Sequence, residues 1–421
     1  MTDPAYSVFV GLAACRASQS SEREENMANS ASNREEPPLY PVAPLGIIAL
    51  EGAEELANLI DHHIWCRRHR IAEDDPDYMR VFGSQRDSFL VATRIVRFAN
   101  GEAKALVEET VRGYDVYIIT DMGNYSHSFK MFGLDCPMSP DDHFQNLKRT
   151  ISAIGGKAYR LTVIMPMLYE GRQHERQTRE SLDCAVALQE LEHLGVKNII
   201  TFDAHDPRVQ NAIPLSGFET LFPTYQMLKA LFEKEKDLKL DKDHMIVISP
   251  DEGAMKRSLY YASMLGVDVG VYYKRRDYTR VVDGQNPIIQ HEFLGRDEDV
   301  AGKDVLVCDD LLSSGGSLLD IAQDLKGRGA KRIFVAVTFA LFVSGLSQYQ
   351  AAYEQGLISR VYATNLTYRR PELSQMPWFV EVDMSSFAAY LVDMLNHNGS
   401  ISPLFDPTAK IDGLLRSYQG R

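Results

Sequence analysis

Residues 305–317 read Val-Leu-Val-Cys-Asp-Asp-Leu-Leu-Ser-Ser-Gly-Gly-Ser. Val305 to Cys308 is an apolar run between Gly302 and an acidic pair, the pattern of a short parallel strand buried on both faces. Asp309 and Asp310 fall where that strand is expected to end. Ser313, Ser314, Gly315, Gly316 and Ser317 make a small-residue loop, and Leu318, Ile321, Ala322 and Leu325 recur behind it at helical spacing. Glycines let the backbone approach an anion, the free amides of a first helical turn point at it, and the helix dipole favours its charge. The two carboxylates would repel a phosphate and suit sugar hydroxyls or a metal instead. A phosphorylated sugar fits this combination. A plain strand-to-helix turn with a serine N-cap fits the same residues.

Outward from this stretch, the chain repeats a junction. Leu194-Gly195-Val196-Lys197-Asn198-Ile199-Ile200 returns in form as Arg328-Gly329-Ala330-Lys331-Arg332-Ile333-Phe334. Glycine after a helix is a C-cap signal, so each is read as the passage from a helix into a strand. Strands are expected at 47–50, 116–119, 161–165, 199–202, 246–248 and 267–273, with helices between them. This alternation implies an α/β fold of two similar domains with mainly parallel sheets, with ligands at the C-terminal strand ends. The expected division is a flexible extension at 1–40, a first domain at 41–240, a second at 241–398, and a tail at 399–421 packing back on the first domain. Polar stretches at 67–88 and 123–142 are expected as irregular surface insertions, with a helix beginning near Gln145.

At 421 residues the chain can bury two cores, and 45% hydrophobic with 24% charged residues is ordinary globular composition. A formal net charge of −13 argues against nucleic acid and anionic membrane as main partners. No apolar run approaches a membrane span, and Asp3 stands where a secretory leader carries positive charge. Five scattered cysteines without a CxxC pair fit a reduced, cytoplasmic protein lacking structural disulfides and zinc.

Further candidate residues follow other apolar strands. Asp203-Ala204-His205 places an acid and an imidazole two apart, on one face if the strand continues, which suits a metal; a structural histidine is the alternative. Ser249-Pro250-Asp251-Glu252-Gly253 puts a carboxylate at another strand end, where a simple turn is also possible. Lys274-Arg275-Arg276 suits a polyphosphate whose charge is neutralised in a transition state, or a solvated charge cluster. No G-x-x-x-x-G-K-[ST] loop occurs, so a Walker-type loop would not hold ATP.

Taken together, Arg97-Phe98-Ala99-Asn100-Gly101-Glu102, Val111-Arg112-Gly113, Arg172-Gln173, Asp203-Ala204-His205, Ser249-Pro250-Asp251, Lys274-Arg275-Arg276, the 309–317 loop and Ser400 to Phe405 resemble, in order, the ribose-phosphate pyrophosphokinases. That resemblance implies two PRTase-type (Rossmann-like) domains, assembly into dimers and hexamers, Mg2+ as cofactor, and ATP and ribose 5-phosphate as substrates. It places Phe98, Asn100 and Glu102 on adenine from a neighbouring subunit, and Arg172 and Gln173 on ATP within the same subunit. His205, Asp251 and Asp203 would be metal positions, and Lys274 and Arg276 catalytic. Asp309 and Asp310 would meet the ribose hydroxyls, and Ser313 to Ser317 would cradle the 5-phosphate. The chain departs from the family pattern at Ser313, where an acid is usual, at His174 and Asn100, where Asp is usual, and in a shortened 210–214 segment. These departures keep three other readings open: a pyrophosphokinase for a larger ester such as ADP-ribose, a non-catalytic regulatory subunit, and a nucleobase phosphoribosyltransferase.

Overall fold

The computed structural model describes residues 40–75, 77–78, 85–176, 179–276 and 288–420, without the side chains of 74, 274–276 and 288–291. Two sheets organise these residues. The first is five-stranded and wholly parallel, in the order β1 (Leu45–Ala49), β4 (Asp115–Ile119), β7 (Arg160–Ile164), β8 (Asn198–Phe202), β9 (Gly217–Leu221). The second is seven-stranded, in the order β12 (Ile288–Leu294), β11 (Asp268–Arg276), β10 (Met245–Ser249), β13 (Asp304–Leu312), β14 (Arg332–Ala340), β15 (Arg360–Thr364), β16 (Phe379–Val382). Only β12 runs antiparallel to its neighbour. Parallel strands are covered on both faces, which is why β4 and β10 are buried at every residue and read as unbroken apolar runs.

The helices are α1 (Glu54–Asp74), α2 (Pro140–Ile154), α3 (Asp183–His193), α4 (Thr224–Lys234), α5 (Met255–Leu265), α6 (Gly316–Gly327), α7 (Ser347–Glu354), α8 (Ser385–Asn396), α9 (Ser402–Phe405) and α10 (Thr408–Gln419). The two repeated junctions both form as read. Gly195 and Gly329 sit at φ 92° and 89°, a left-handed turn that costs glycine nothing, after α3 and α6 and before β8 and β14.

The two units exchange helices. α4 follows β9 directly but packs Met227, Leu228, Leu231 and Phe232 against Met245, Val247, Leu306 and Phe334 of the second sheet. α8 follows β16 and returns to the first sheet, where Leu391 and Val392 join Ile47, Ile60 and Ile119. Burying one such leucine or valine stabilises by roughly 1.5–3 kcal/mol, so each unit depends on the other's helix. The chain therefore crosses between units at 222–223, ahead of the division expected after residue 240. The tail divides between them: Leu404 of α9 joins the first unit's core, whereas Ile411 of α10 is buried in the second.

Four local expectations are corrected. α1 continues through the polar 67–74 segment because Arg68, fully buried, bonds Asp393 at 2.9 Å and Asn396 at 2.7 Å on α8. The 123–142 stretch holds a hairpin, β5 (Ser128–Met131) and β6 (Leu134–Pro137), beside a second one, β2 (Thr93–Arg97) and β3 (Ala103–Val107). α2 begins at Pro140, earlier than Gln145, with a reciprocal Ser139–Asp142 capping box. β13 runs past Cys308 to Leu312, because the long β14 supplies ladder partners Val337, Phe339 and Ala340.

A buried polar contact ties the units together. Asp121, after β4, accepts hydrogen bonds from the Thr367 hydroxyl at 2.8 Å, the Tyr368 amide at 2.7 Å and the Gly123 amide at 3.0 Å. Burial pushes its carboxyl up to about 6, against these bonds.

Candidate active site

The acidic pair stands in the last turns of pleat of β13, with Asp310 buried and Asp309 half-buried. Asp310 Oδ2 lies 2.8 Å from Nδ1 of His205, which the β8 end delivers from the other unit. That hydrogen bond holds the His205 proton above its ordinary range. Burial penalises the Asp310 charge, but His205 and Arg257 more than offset this and keep the carboxyl low. Asp309 goes the other way, pushed well up by burial and by the Asp310 charge beside it.

Arg257, on α5, is the cation that makes this crowding tolerable. It bonds Asp203 at 2.7, 3.0 and 3.1 Å and lies 3.7 Å from Asp309 and 3.9 Å from Asp310. Asp203, expected beside His205 as a metal position, meets Arg257 here. Its φ of 44° breaks the strand alternation, and its carboxylate is taken up by Arg257 and by the Thr338 hydroxyl. Sequence reasoning passed over Arg257 because Lys256-Arg257 at a helix start reads as a solvated polar face.

Behind the pair, Gly315 turns at φ 81° as the N-cap of α6. A Cβ there would fall 1.3 Å from Tyr349 Oη, so only glycine fits. Gln348 Nε2 donates to the Ser314 carbonyl at 2.5 Å and fixes the loop from α7. The first-turn amides of α6 have no intrahelical acceptor and are left for an anion. Asp251 heads α5, its Oδ1 accepting from the Ala254 amide at 3.0 Å.

A cleft of about 140 Å³ between the units is lined by Arg172, Asp203, His205, Asp310, Leu311 and Phe339, among others. Arg172, after β7, and Asp310 thus line the same cleft. Gln173 follows, but its amide donates to the Glu175 and Ser181 carbonyls at 3.2 and 2.9 Å and braces its own loop. Phe98, Asn100 and Glu102 form the β2–β3 turn, closed by bonds between the Asn100 and Glu102 side chains at 3.0 Å, and none of them lines this cleft. Phe98 is 47% exposed. Lys274 and Arg276 end β11, paired in register with His291 and Ile288 of β12; their side chains lie outside the described residues. A larger cavity, about 510 Å³, lies between α1, α4 and α8 and holds none of these residues. Among the described residues no group of three or more His, Cys, Asp or Glu side chains could hold a metal ion, and no helix is long and apolar enough to cross a membrane.

Residues 45–195 match the N-terminal domain of ribose phosphate pyrophosphokinase, and residues 224–354 the phosphoribosyl transferase domain. The second match begins at α4, where the chain crosses to the second sheet. The chain belongs to the ribose-phosphate pyrophosphokinase family. Similar curated members are the ribose-phosphate pyrophosphokinases of Vibrio cholerae, 26% identical over 74% of this chain and 90% of that protein, and of Pasteurella multocida, 27% identical over 73% and 89%. The phosphoribosylpyrophosphate synthetase structure from Mycobacterium smegmatis shares the fold, with a TM-score of 0.64 at 21% identity, covering 85% of this chain and 100% of that one.

Proposed function

We propose that this chain is a ribose-phosphate pyrophosphokinase that moves the β,γ-diphosphoryl group of ATP onto the anomeric hydroxyl of ribose 5-phosphate, giving phosphoribosyl pyrophosphate and AMP for nucleotide synthesis. The carrying observation is that Asp310, in the strand that leads into the α6 N-terminus, lies 2.8 Å from His205 of the other unit and lines one cleft with it and Arg172. A sugar phosphate seated on α6 puts its ring hydroxyls at the two carboxylates and its anomeric oxygen toward the other unit.

In this reading the 313–317 loop binds the 5-phosphate, with Ser313 supplying a hydroxyl in place of a repelling acid. Asp310, buttressed by His205 and Arg257, accepts from one ribose hydroxyl, and Asp309 meets the next. The anomeric oxygen attacks the β-phosphorus and releases its proton to solvent, and the bond to the α-phosphate oxygen breaks, that oxygen leaving with AMP. Arg172 and Gln173 orient the ATP phosphates. Lys274 and Arg276 meet the charge that builds on the transferred oxygens, the largest electrostatic term in such transfers. His205 and Asp251 are the residues to hold Mg2+, with Asp203 committed to Arg257. A donor set this sparse fits a hard ion that takes most of its ligands from phosphate oxygens and water. Bound with ATP, Mg2+ supplies charge neutralisation at the β- and γ-phosphates.

Phe98, Asn100 and Glu102 stack on and bond adenine in a neighbouring copy, which is why their turn stands exposed; a dimer-based hexamer in the cytoplasm is the corresponding assembly. AMP release from ATP is measured with ribose 5-phosphate and with ADP-ribose as acceptors. Fast release with ribose 5-phosphate supports the proposal. Release only with the larger acceptor, or with neither, refutes it.

A further inference from the structure

The β5–β6 hairpin lies within the 123–142 stretch yet adds nothing to either core, since every side chain of 128–137 is exposed or half-buried. A two-stranded hairpin is marginal on its own, so its contacts decide its use. Its base is fixed: the Met138 amide donates to the His127 carbonyl at 2.9 Å, and the Asn124 side chain donates to the Gly52 carbonyl at 3.1 Å. Its far end meets the β2–β3 turn. The Phe132 amide donates to the Ala99 carbonyl at 2.8 Å. Met131 closes over Gly101, where an added Cβ would fall 2.6 Å from Met131 Sδ. The Phe129 ring lies 3.9 Å from the Arg97 guanidinium, whose Nη1 reaches Asp142 at 3.3 Å and the Gly101 carbonyl at 3.5 Å. The hairpin thus holds residues 97, 99 and 101 and leaves Phe98, Asn100 and Glu102 between and beside them exposed.

We propose that the β5–β6 hairpin is a brace that fixes the Phe98–Glu102 turn in the shape that receives the adenine of ATP, with Phe129 and Met131 as positioning residues for nucleotide affinity. The inference rests on that turn binding adenine. A turn held in place before the nucleotide arrives spares binding the entropy of ordering three side chains, which raises affinity without a new contact to ATP. No residue of 128–137 lines the cleft beside the acidic pair, so ribose 5-phosphate affinity and turnover do not depend on the hairpin.

The test replaces Ser128–Pro137 by Asn-Gly in the full chain, a two-residue turn that the hydrogen-bonded His127 and Met138 can close. Calorimetric Mg-ATP binding, steady-state KM and kcat, and sedimentation are compared with wild type. ATP should weaken by about tenfold or more in both Kd and KM, because three side chains must then be ordered on binding. The KM for ribose 5-phosphate, kcat and the assembly state should be unchanged. Phe129→Ala should weaken ATP by about two- to fivefold, as for loss of one cation–π contact, and Phe129→Tyr, which keeps the ring, should restore it. This pair decides the matter if thermal unfolding shows that the shortened chain does not fold. Phe98→Ala tests the adenine turn itself. Weakened ATP binding in Phe98→Ala, with wild-type affinity in the hairpin variants, refutes the brace and leaves the turn. No effect of Phe98→Ala refutes the turn as the adenine site and the brace with it. Equal losses for both substrates, or loss of assembly, would make the hairpin a general support or a subunit contact and refute the proposal.

Discussion

Arg257→Met removes a charge while keeping an unbranched apolar side chain, and it tests the electrostatic logic of the site. In the folded protein Arg257 satisfies Asp203 through three hydrogen bonds of 2.7–3.1 Å and lies 3.7 Å from Asp309 and 3.9 Å from Asp310. Asp203 is only 3% exposed, so water cannot replace the guanidinium. Removing one partner of a buried ion pair costs about 3–5 kcal/mol, and three converging carboxylates put this case at the upper end. Urea unfolding monitored by circular dichroism should show that loss as a lower midpoint at unchanged slope. Adding Asp203→Asn, whose amide oxygen still accepts from Thr338, should recover about 2 kcal/mol or more by removing the stranded charge. A loss below about 1 kcal/mol for Arg257→Met would be an ordinary substitution effect and would refute the reasoning.

Gly315→Ala forces a side chain into the left-handed region and onto Tyr349, which stacks on Trp378. Strain of about 1–2 kcal/mol and overpacking of about 1–3 kcal/mol should lower stability and weaken ribose 5-phosphate binding together, read by thermal unfolding and calorimetry. Lys274→Ala should leave substrate binding near wild type and reduce turnover by about 10³-fold or more, as expected for a cation acting on transition-state charge; unchanged turnover removes it from the mechanism. Asp121, with its carboxyl raised from 3.8 to about 6 by burial, binds its proton more tightly folded than unfolded. Its contribution is therefore fully present below the unfolded value and is lost as pH rises through about 6, a fall of roughly 3 kcal/mol. Urea unfolding across that window should show this slope in wild type and its absence in Asp121→Asn; parallel profiles would contradict the assignment.

What the sequence disclosed was local and periodic. Buried parallel strands announce themselves as apolar runs, so β10 and the core of β13 were readable, and a glycine forced to positive φ marked both helix-to-strand junctions. The small-residue turn at 313–317 was readable for the same reason, since Gly315 answers to a backbone requirement. Long-range pairing left no such trace. Arg68 reads as polar surface until its partner Asp393, on a helix from the other unit, is known, and Arg257 is equally silent without Asp203. The helix exchange at 222–223 is invisible because α4 is amphipathic whichever sheet it covers. The β5–β6 turn uses Phe132-Gly133, at φ 50° and 82°, in place of the Asn-Gly that signals such hairpins. Asp203 misled through geometry: its left-handed backbone cancels the alternation that paired it with His205.

The central claim is the transfer of an intact diphosphoryl group to the anomeric oxygen. Phosphorus NMR of the purified chain with Mg-ATP and ribose 5-phosphate follows every phosphorus atom at once. The account predicts AMP and phosphoribosyl pyrophosphate appearing in equal amounts as ATP falls. ADP with a monophosphorylated sugar, or AMP with free pyrophosphate and unchanged ribose 5-phosphate, would contradict it.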